Sequence, residues 1–321
     1  MEQIIDVSLD KKTFPATFNF TEGMDMLSLV SWYNENKELI NDTLLESGAV
    51  LLKGAQIDTV DKFEQFTGGI ASKFRDYVDG NYPRRNLKGH VYISTEYDAN
   101  YDITMHNELS YSFKWPSKLF FGCIIPPGQG GETPLADSRK IVKTMDPTLL
   151  HEFESRKVRY IRNLHGGAGM GPSWQETFAT EDRKAVEQYC NQIDMKYIWK
   201  DNGGLRLENT RPATRLHPVT GEKVWFNQVD QYHPSHFPKE VYETLIMLAE
   251  GDEEELPLYV SFGDGGRVTE QVIKEVIQTI DKSVVIRPWE KGDFVFVDNM
   301  LVAHGRKAYK GNRQIVVAMA E

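Results

Sequence analysis

The end of the chain places the strongest constraint on the fold, because four strand-like segments follow one another from Ser283 onward. They read SVVIRPW, GDFVFVDN, LVAHGR and RQIVVAMA, and turn-forming residues separate them. An earlier segment, SKLFFGCIIP, has the same apolar character and ends at a pair of prolines. This succession of short segments predicts a fold that is rich in β-sheet.

Helical spacing of apolar residues occurs in two other parts of the chain. Residues 25–47 and the segment TVDKFEQFTGGI predict a helical N-terminal flank at about residues 23–70. The segments PKEVYETLIMLAE and VTEQVIKEVIQTI predict helices within an insert at about residues 138–280. We therefore expect a single domain over residues 1–321, mainly β with inserted helices (α+β), in the form of a double-stranded β-helix, or jelly roll. Periodicity alone does not separate this fold from another α+β fold.

Composition limits the kinds of partner that the chain can have. The net charge of −10 disfavours non-specific binding to nucleic acid, which requires a basic surface. The opening residues MEQIIDVSLDKK lack the pattern of a secretory signal, and no apolar run reaches the ~18 residues of a membrane span. The two cysteines, Cys123 and Cys190, fit a reducing compartment. We expect a cytoplasmic protein with a small-molecule substrate and no nucleic-acid or membrane partner, and the oligomeric state stays open.

The segment ITMHNELSYS places a histidine and a glutamate two positions apart among apolar and aromatic residues. If the segment is a strand, the side chains of His106 and Glu108 leave it on the same side. A lone charged group is costly in such surroundings, whereas a bound metal ion would compensate for it. An H-x-E pair is a weak signal by itself, and a core histidine bonded to the backbone is the alternative. A third ligand is therefore required.

His304 is the histidine whose context best supplies that third ligand. It lies in LVAHGR, which follows the buried strand DFVFVD and the turn NM. Two imidazoles and one carboxylate form the facial triad of non-haem Fe(II) oxygenases, which leaves coordination positions open. The same donor set also suits a hydrolytic zinc site, so that alternative remains at this point.

Several motifs, in order along the chain, resemble the clavaminate synthase-like branch of the taurine dioxygenase family. They are HNELSY, SKLFFGCIIPPGQGGETPLADSR, KVWFN, FGDG, GDFVFVDN and HGRKAYKGNR. The resemblance implies an oxidoreductase with a jelly-roll fold that uses Fe(II), 2-oxoglutarate as co-substrate, and O₂. It assigns the metal to His106, Glu108 and His304, with glutamate as this branch's variant of the middle ligand. It also implies that Thr133 and Arg313 bind the distal carboxylate of 2-oxoglutarate, for which a planar guanidinium is well suited.

One position departs from the family pattern. Several relatives carry a second arginine four residues after the 2-oxoglutarate arginine, where it meets an anionic substrate group, and this chain has Val317 there. The long polar region at residues 72–102 precedes the predicted metal strand, and loops of this length are usually functional. Within it, Arg84, Arg85 and Glu96 are candidate substrate-binding residues, with Glu96 as a partner for an amine.

Together these features predict an Fe(II)/2-oxoglutarate-dependent dioxygenase that hydroxylates an unactivated C–H bond. The expected substrate is a small amino acid or amino-acid-like metabolite, and the expected by-products are succinate and CO₂. The resemblance suggests a role in secondary metabolism. Desaturation or cyclisation with the same cofactors is one alternative, and a non-catalytic jelly-roll binding protein is another. The motifs do not identify the substrate, the position of attack, or whether the substrate is free or carrier-bound.

Overall fold

The computed structural model describes residues 7–21, 23–80 and 84–321, and strands and helices are mixed throughout them. In these ranges the strands are β1 (Val7–Asp10), β2 (Ala16–Phe20), β3 (Ala49–Lys53), β4 (Asn86–Lys88), β5 (Val91–Ile93), β6 (Ile103–His106), β7 (Lys118–Ile125), β8 (Gln129–Gly130), β9 (Leu135–Asp137), β10 (Val158–Leu164), β11 (Lys196–Trp199), β12 (Leu205–Arg211), β13 (Thr214–Leu216), β14 (Lys223–Trp225), β15 (Leu258–Phe262), β16 (Val284–Val285), β17 (Phe294–Asp298), β18 (Val302–Arg306), β19 (Tyr309–Lys310) and β20 (Gln314–Ala320). The α-helices are α1 (Met26–Glu35), α2 (Lys37–Ser47), α3 (Val60–Ile70), α4 (Ser138–Thr144), α5 (Pro147–Arg156), α6 (Trp174–Phe178), α7 (Arg183–Gln192), α8 (Val229–Tyr232), α9 (Lys239–Leu248) and α10 (Glu270–Asp281).

The strands from the two ends of the chain meet in one eight-stranded sheet, in the order β1-β2-β3-β17-β7-β20-β5-β4. Its inner strand β17 reads FVFVD and is buried along its whole length. Phe294 and Phe296 join the core that also contains residues of α1, α2 and α3, whereas Val295 and Val297 join the opposite core. This alternation is the two-residue period of a strand that is covered on both faces.

A four-stranded sheet, in the order β16-β9-β18-β6, packs against the second face of the large sheet. The hydrophobic cluster between the two sheets joins Phe121 and Val295 of the large sheet to Leu135 and Val302 of the small one. Burial of this cluster fixes β9 and β18 against the large sheet. The two strands that carry the predicted histidine ligands, β6 and β18, are therefore neighbours in the small sheet.

A third sheet, β11-β12-β10-β15, lies within the predicted insert at residues 138–280. Tyr160 of β10 and Phe262 of β15 belong to one core cluster with Met105 of β6 and Tyr232 of α8. The insert consequently packs against the strand that carries His106. The described residues therefore form an architecture in which helices are mixed with several β-sheets.

The helical flank differs from the sequence-based expectation at one point. Residues 25–47 were expected to form one helix, but the structure has two helices that meet at Asn36. The side-chain amide of Asn36 donates to the carbonyl oxygen of Trp32 at 2.9 Å, and asparagine side chains compete in this way with continuation of a helix. Gly48 ends the second helix in the left-handed conformation, which glycine adopts readily.

Within the described residues, no helix combines the length and the apolar character that crossing a membrane requires. The first six residues of the opening segment, which we examined for a signal pattern, lie outside the described ranges.

A buried ion pair ties residues 72–80 to the insert. The carboxylate of Asp79 is fully buried and pairs with the guanidinium of Arg162 on β10, whose side chain is 3 % exposed. Arg162 also donates to the carbonyl oxygen of Gly80 at 3.2 Å, and the hydroxyl of Tyr111 donates to the carbonyl oxygen of Asp79 at 2.5 Å. These contacts fix Asp79 and Gly80, which precede the segment that leads to β6.

We expect Arg162→Met to lower the free energy of unfolding by about 3–5 kcal/mol, because it leaves the Asp79 carboxylate buried without a cationic partner. Urea denaturation followed by circular dichroism measures the change. The double variant Asp79→Asn/Arg162→Met should recover part of the loss, since the uncompensated charge is gone.

The matched control is Lys274→Met, which removes an exposed pair with Glu270 on α10. Exposed pairs contribute less than about 1 kcal/mol, so this variant should remain close to the wild type. An Arg162→Met protein as stable as the control would contradict the structural role of the pair.

Candidate metal centre

The pairing of β6 with β18 brings the two predicted histidine ligands together. His106 lies directly opposite His304 in this antiparallel pair, and their ring centroids are 4.4 Å apart. The register shifts between His304 and Arg306, at Gly305. A Cβ atom at Gly305 would lie 2.6 Å from the carbonyl oxygen of Ile103, so the glycine permits the close approach of the strands.

Glu108 reaches the same place by a different route from the one that the sequence predicted. The strand ends at His106, and Glu108 lies in the turn that follows, so the prediction of one strand face for both residues is wrong. The backbone NH of Glu108 donates to Oδ1 of Asn299 at 2.7 Å, and Nδ2 of Asn299 donates to the carbonyl oxygen of Glu108 at 2.9 Å. Asn299, in the turn between β17 and β18, therefore fixes the backbone of Glu108.

The three side chains form a cluster of possible metal ligands. One potential ligand atom from each of His106, Glu108 and His304 lies within 4.8 Å of the others. Nε2 of His304 is 3.9 Å from Oε2 of Glu108, and the two side chains are 5 % and 6 % exposed. Two imidazoles and one carboxylate in a buried position match the donor set of a facial triad.

The protonation of the histidines is compatible with metal binding. Nδ1 of His106 lies 2.9 Å from the carbonyl oxygen of Thr104, which can only accept, so Nδ1 carries the proton and Nε2 keeps its lone pair. Burial lowers the pKa of His106, and it lowers the pKa of His304 well below its usual value. Both rings are thus favoured in the neutral form that coordinates a metal.

A buried arginine adjoins the cluster. Nη2 of Arg84 donates to Oε2 of Glu108 at 2.5 Å, and the Arg84 side chain is 5 % exposed. Its guanidinium carbon lies 4.3 Å from the ring centroid of Tyr77. Burial opposes the charge of Arg84, but the Glu108 carboxylate together with Tyr77 and Tyr111 outweighs this effect, and the pKa of Arg84 is raised. Of the three residues predicted to bind substrate, Arg84 is the one that contacts the cluster.

Arg85 and Glu96 are placed differently. Their side chains are 65 % and 39 % exposed and form an ion pair with each other at 3.1 Å. Among the described residues, the hydrogen bonds and ion pairs give neither of them a contact with the histidine–glutamate cluster. Their predicted role in substrate binding therefore gains no support from the geometry and stays a prediction.

Thr133 and Arg313 belong to two segments that touch. Gly131 is in the left-handed conformation, and its carbonyl oxygen accepts a hydrogen bond of 2.8 Å from Nε of Arg313. The hydroxyl oxygen of Thr133 accepts from Nε1 of Trp289 at 3.1 Å, which leaves the hydroxyl hydrogen free to be donated. The tight turn through Gly131 thus sets the segment of Thr133 beside the guanidinium.

The Arg313 guanidinium lacks a carboxylate partner within ion-pair distance in the described parts of the chain. Its Nη1 donates to the hydroxyl of Ser94 at 3.3 Å, and burial lowers the pKa of Arg313 to about 10. A cation that is held largely out of water and has no counter-ion is a suitable partner for an anionic ligand.

Two positioning residues were not among the candidates from the sequence. Asn299 orients Glu108, and the guanidinium of Arg306 donates to the carbonyl oxygens of Tyr97, Asp98 and Tyr101. Asn299 ends the motif DFVFVDN and Arg306 ends the motif HGR, in which other residues were the candidates. A polar residue within an apolar, buried motif was the signal that could have identified them.

A cavity of about 660 Å³ lies elsewhere, within the insert. Asn163, His165, Lys200 and Leu248 are among its lining residues, and it includes none of the predicted site residues. The groups that could perform chemistry are in the buried cluster of His106, Glu108 and His304, and not in this cavity.

The chain is similar in sequence to known proteins. The chain is 34 % identical over 284 residues to the dapdiamide synthesis protein DdaC of Enterobacter agglomerans, which covers 88 % of this chain and 84 % of the relative. It is 27 % identical over 293 residues to a clavaminate synthase-like protein of Arabidopsis thaliana, covering 89 % of this chain and 85 % of that one.

Solved structures are similar in fold. The crystal structure of AAD-2 in complex with Mn(II) and N-oxalylglycine superposes with a TM-score of 0.54 at 12 % identity, over 99 % of this chain and 97 % of that one. The family model for the taurine catabolism dioxygenase TauD, TfdA family matches residues 12–319. The chain therefore belongs to this family and is an Fe(II)- and 2-oxoglutarate-dependent dioxygenase.

Proposed function

We propose that the enzyme hydroxylates an unactivated C–H bond of a small amino acid or amino-acid-like metabolite and releases succinate and CO₂. The observation that carries this proposal is the buried cluster of His106, Glu108 and His304. The relative that takes part in dapdiamide synthesis supports a small, nitrogen-containing substrate and a role in secondary metabolism.

His106, Glu108 and His304 would hold the metal through two neutral imidazoles and one carboxylate. Bound Fe(II) and 2-oxoglutarate would supply the activation of O₂ and the oxidising power for the substrate. The chain itself sets the geometry of the donors: the β6–β18 register opposes the imidazoles, and Asn299 fixes the turn that carries the carboxylate. Because the protein would supply only these three ligands, the other coordination positions of the metal would stay available to small molecules.

Arg313 would bind the distal carboxylate of 2-oxoglutarate, and Thr133 would donate its hydroxyl hydrogen to the same group. Arg313 is a largely buried cation without a carboxylate partner among the described residues, so an incoming dicarboxylate would supply the missing charge. The hydrogen bond from Trp289 orients the Thr133 hydroxyl oxygen and leaves its hydrogen for the ligand.

The finer points of the fold are also part of this proposal. The eight-stranded and four-stranded sheets that face each other would form the double-stranded β-helix, or jelly roll, of a single domain over residues 1–321. Helices α1–α3 would be its N-terminal flank, and the third sheet with its helices would be the insert. We further propose a cytoplasmic location, on the basis of the sequence features described above.

The test of the reaction is succinate release screened over the L-amino acids, with Fe(II), 2-oxoglutarate and O₂ present. We expect a productive substrate to stimulate succinate release above the unstimulated rate. Mass spectrometry of the product distinguishes the outcomes, because hydroxylation adds one oxygen atom whereas desaturation or cyclisation removes two hydrogen atoms. A protein that binds metal and 2-oxoglutarate but forms no succinate with any compound in the library would contradict the proposal.

We expect His304→Ala to weaken binding of Mn(II), used as a probe that does not support turnover, by at least ~100-fold. Loss of an outer partner of a ligand already costs about 10- to 100-fold, and His304 is proposed to bind the metal directly. Calorimetric titration in the absence of O₂ measures the affinity. His151→Ala, at an exposed histidine on α5, is the control and should bind Mn(II) as the wild type does.

We expect Arg313→Ala to raise the 2-oxoglutarate concentration needed for half-saturation by a few hundred-fold or more. The reason is that loss of one partner of a buried charge pair costs about 3–5 kcal/mol. Arg313→Lys should recover only part of the affinity, because lysine lacks the planar pair of donors. Mn(II) affinity should change little, and the exposed Lys310→Ala serves as the control. Normal saturation of Arg313→Ala at low 2-oxoglutarate would remove Arg313 from the proposed site.

A further inference from the structure

We propose that Arg84 binds a carboxylate of the organic substrate, so that the substrate is an acid and not a neutral molecule. This inference rests on the proposed function and narrows its substrate class.

The guanidinium of Arg84 is buried but only partly satisfied. Nη2 donates to Oε2 of Glu108, and Nη1 has only the thioether sulfur of Met319, a weak acceptor, at 3.9 Å. Nε is buried and has no hydrogen-bond partner in the described ranges of the chain. Since a guanidinium has five N–H donors and a buried donor without a partner is costly, Arg84 has capacity for another acceptor.

The free donors of Arg84 lie next to the proposed metal ligands. Oε2 of Glu108 is 2.5 Å from Nη2 of Arg84 and 3.9 Å from Nε2 of His304. Within the described residues, Glu108 is the only carboxylate in ion-pair contact with Arg84. A group that binds to the free donors of Arg84 would therefore lie in the immediate surroundings of the three ligands.

The charges of the loaded site leave one positive charge without a partner. In the protein alone, Arg84 and Glu108 neutralise each other. A divalent metal ion would draw the Glu108 carboxylate, and dianionic 2-oxoglutarate would offset the two charges of the metal. Arg84, Arg313 and Glu108 then leave an excess of one positive charge in a buried place, which is costly unless an anion arrives. A monoanionic carboxylate on the substrate supplies that charge and fits the two-pronged geometry of a guanidinium.

Both sides of Arg84 are held by the fold. Before it, Asp79 is anchored to Arg162 of the insert, and after it, strand β4 pairs with β5 in the eight-stranded sheet. The ring of Tyr77 covers the guanidinium at 4.3 Å. A cation fixed in this way is already oriented, so little conformational entropy is lost when the substrate binds.

The competing explanation is that Arg84 only positions Glu108 for the metal. In that case, loss of Arg84 would weaken metal binding and would not distinguish acidic from neutral ligands. The two explanations therefore differ in a measurement of binding, without any need for turnover.

The test uses the protein loaded with Mn(II) and 2-oxoglutarate. The probes are two pools with the same side chains, the L-amino acids and their primary carboxamides, and thermal unfolding and calorimetry detect binding. We expect the wild type to bind one or more of the free acids and to bind the matching carboxamides about 10- to 150-fold more weakly, the range expected for loss of a charge-assisted hydrogen bond. Because Arg84 contacts the proposed ligand Glu108, the Mn(II) affinity of Arg84→Met is measured first. At Mn(II) and 2-oxoglutarate concentrations that saturate the variant, Arg84→Met should bind acid and amide equally weakly. Lys88→Met, an exposed charge in the same region, should behave as the wild type does.

Arg84→Lys keeps the charge and covers the case in which Arg84→Met does not fold, as judged by circular dichroism. It should bind the acids more weakly than the wild type but still prefer them to the amides. Three results overturn the proposal: equal binding of acids and amides by the wild type, no binding of any acid, or a loss of Mn(II) affinity in Arg84→Met with the acid preference intact. Failure of the proposed function itself is seen separately, because the wild type would then not bind Mn(II) and 2-oxoglutarate before any probe is added.

Discussion

The antiparallel pairing of β6 with β18 is the interaction on which the rest of the site depends. It sets His106 opposite His304, and the shift at Gly305 allows the strands to approach closely. A slip of one residue would send these side chains to opposite faces, since the period of a strand is two. The register is held from outside the pair, because β18 also bonds to β9 and packs through Val302 against the large sheet.

The site contains one charge, on Arg313, that has no carboxylate partner among the described residues, whereas Glu108 is paired with Arg84. Glu108 is held by its backbone, through Asn299, so its carboxylate is free to bind Arg84 or a metal ion. Arg313 is fixed by Gly131 and Ser94, neither of which is charged. Neutral contacts thus orient these charged groups, and the proposed ligands would complete the charge balance. In that case the metal and the anions would each favour binding of the other.

The sequence was sufficient for features that depend on local chemistry. In the segment TRLHPVTGEKVWFN, Gly221 marks a turn, and the structure has it in the left-handed conformation between β13 and β14. The histidines of ITMH and LVAHGR were also recognisable from their strand contexts. The break at Asn36 and the turn at Glu108 were not, because both involve a bond between a side-chain amide and the backbone, and the apolar pattern does not record such a bond.

Arg84 and Arg85 show why the substrate side of the site was harder to predict. The two residues are identical and adjacent, so composition and charge cannot distinguish them. Neither residue belongs to a strand, since β4 begins at Asn86, so the two-residue period of a strand does not predict which of them faces the metal cluster. On one side of the pair Asp79 binds Arg162, and on the other side β4 pairs with β5. Arg84 is 5 % exposed beside Glu108, whereas Arg85 is 65 % exposed. Asp79 pairs with a residue 83 positions away along the chain, and the local sequence does not reveal such a contact.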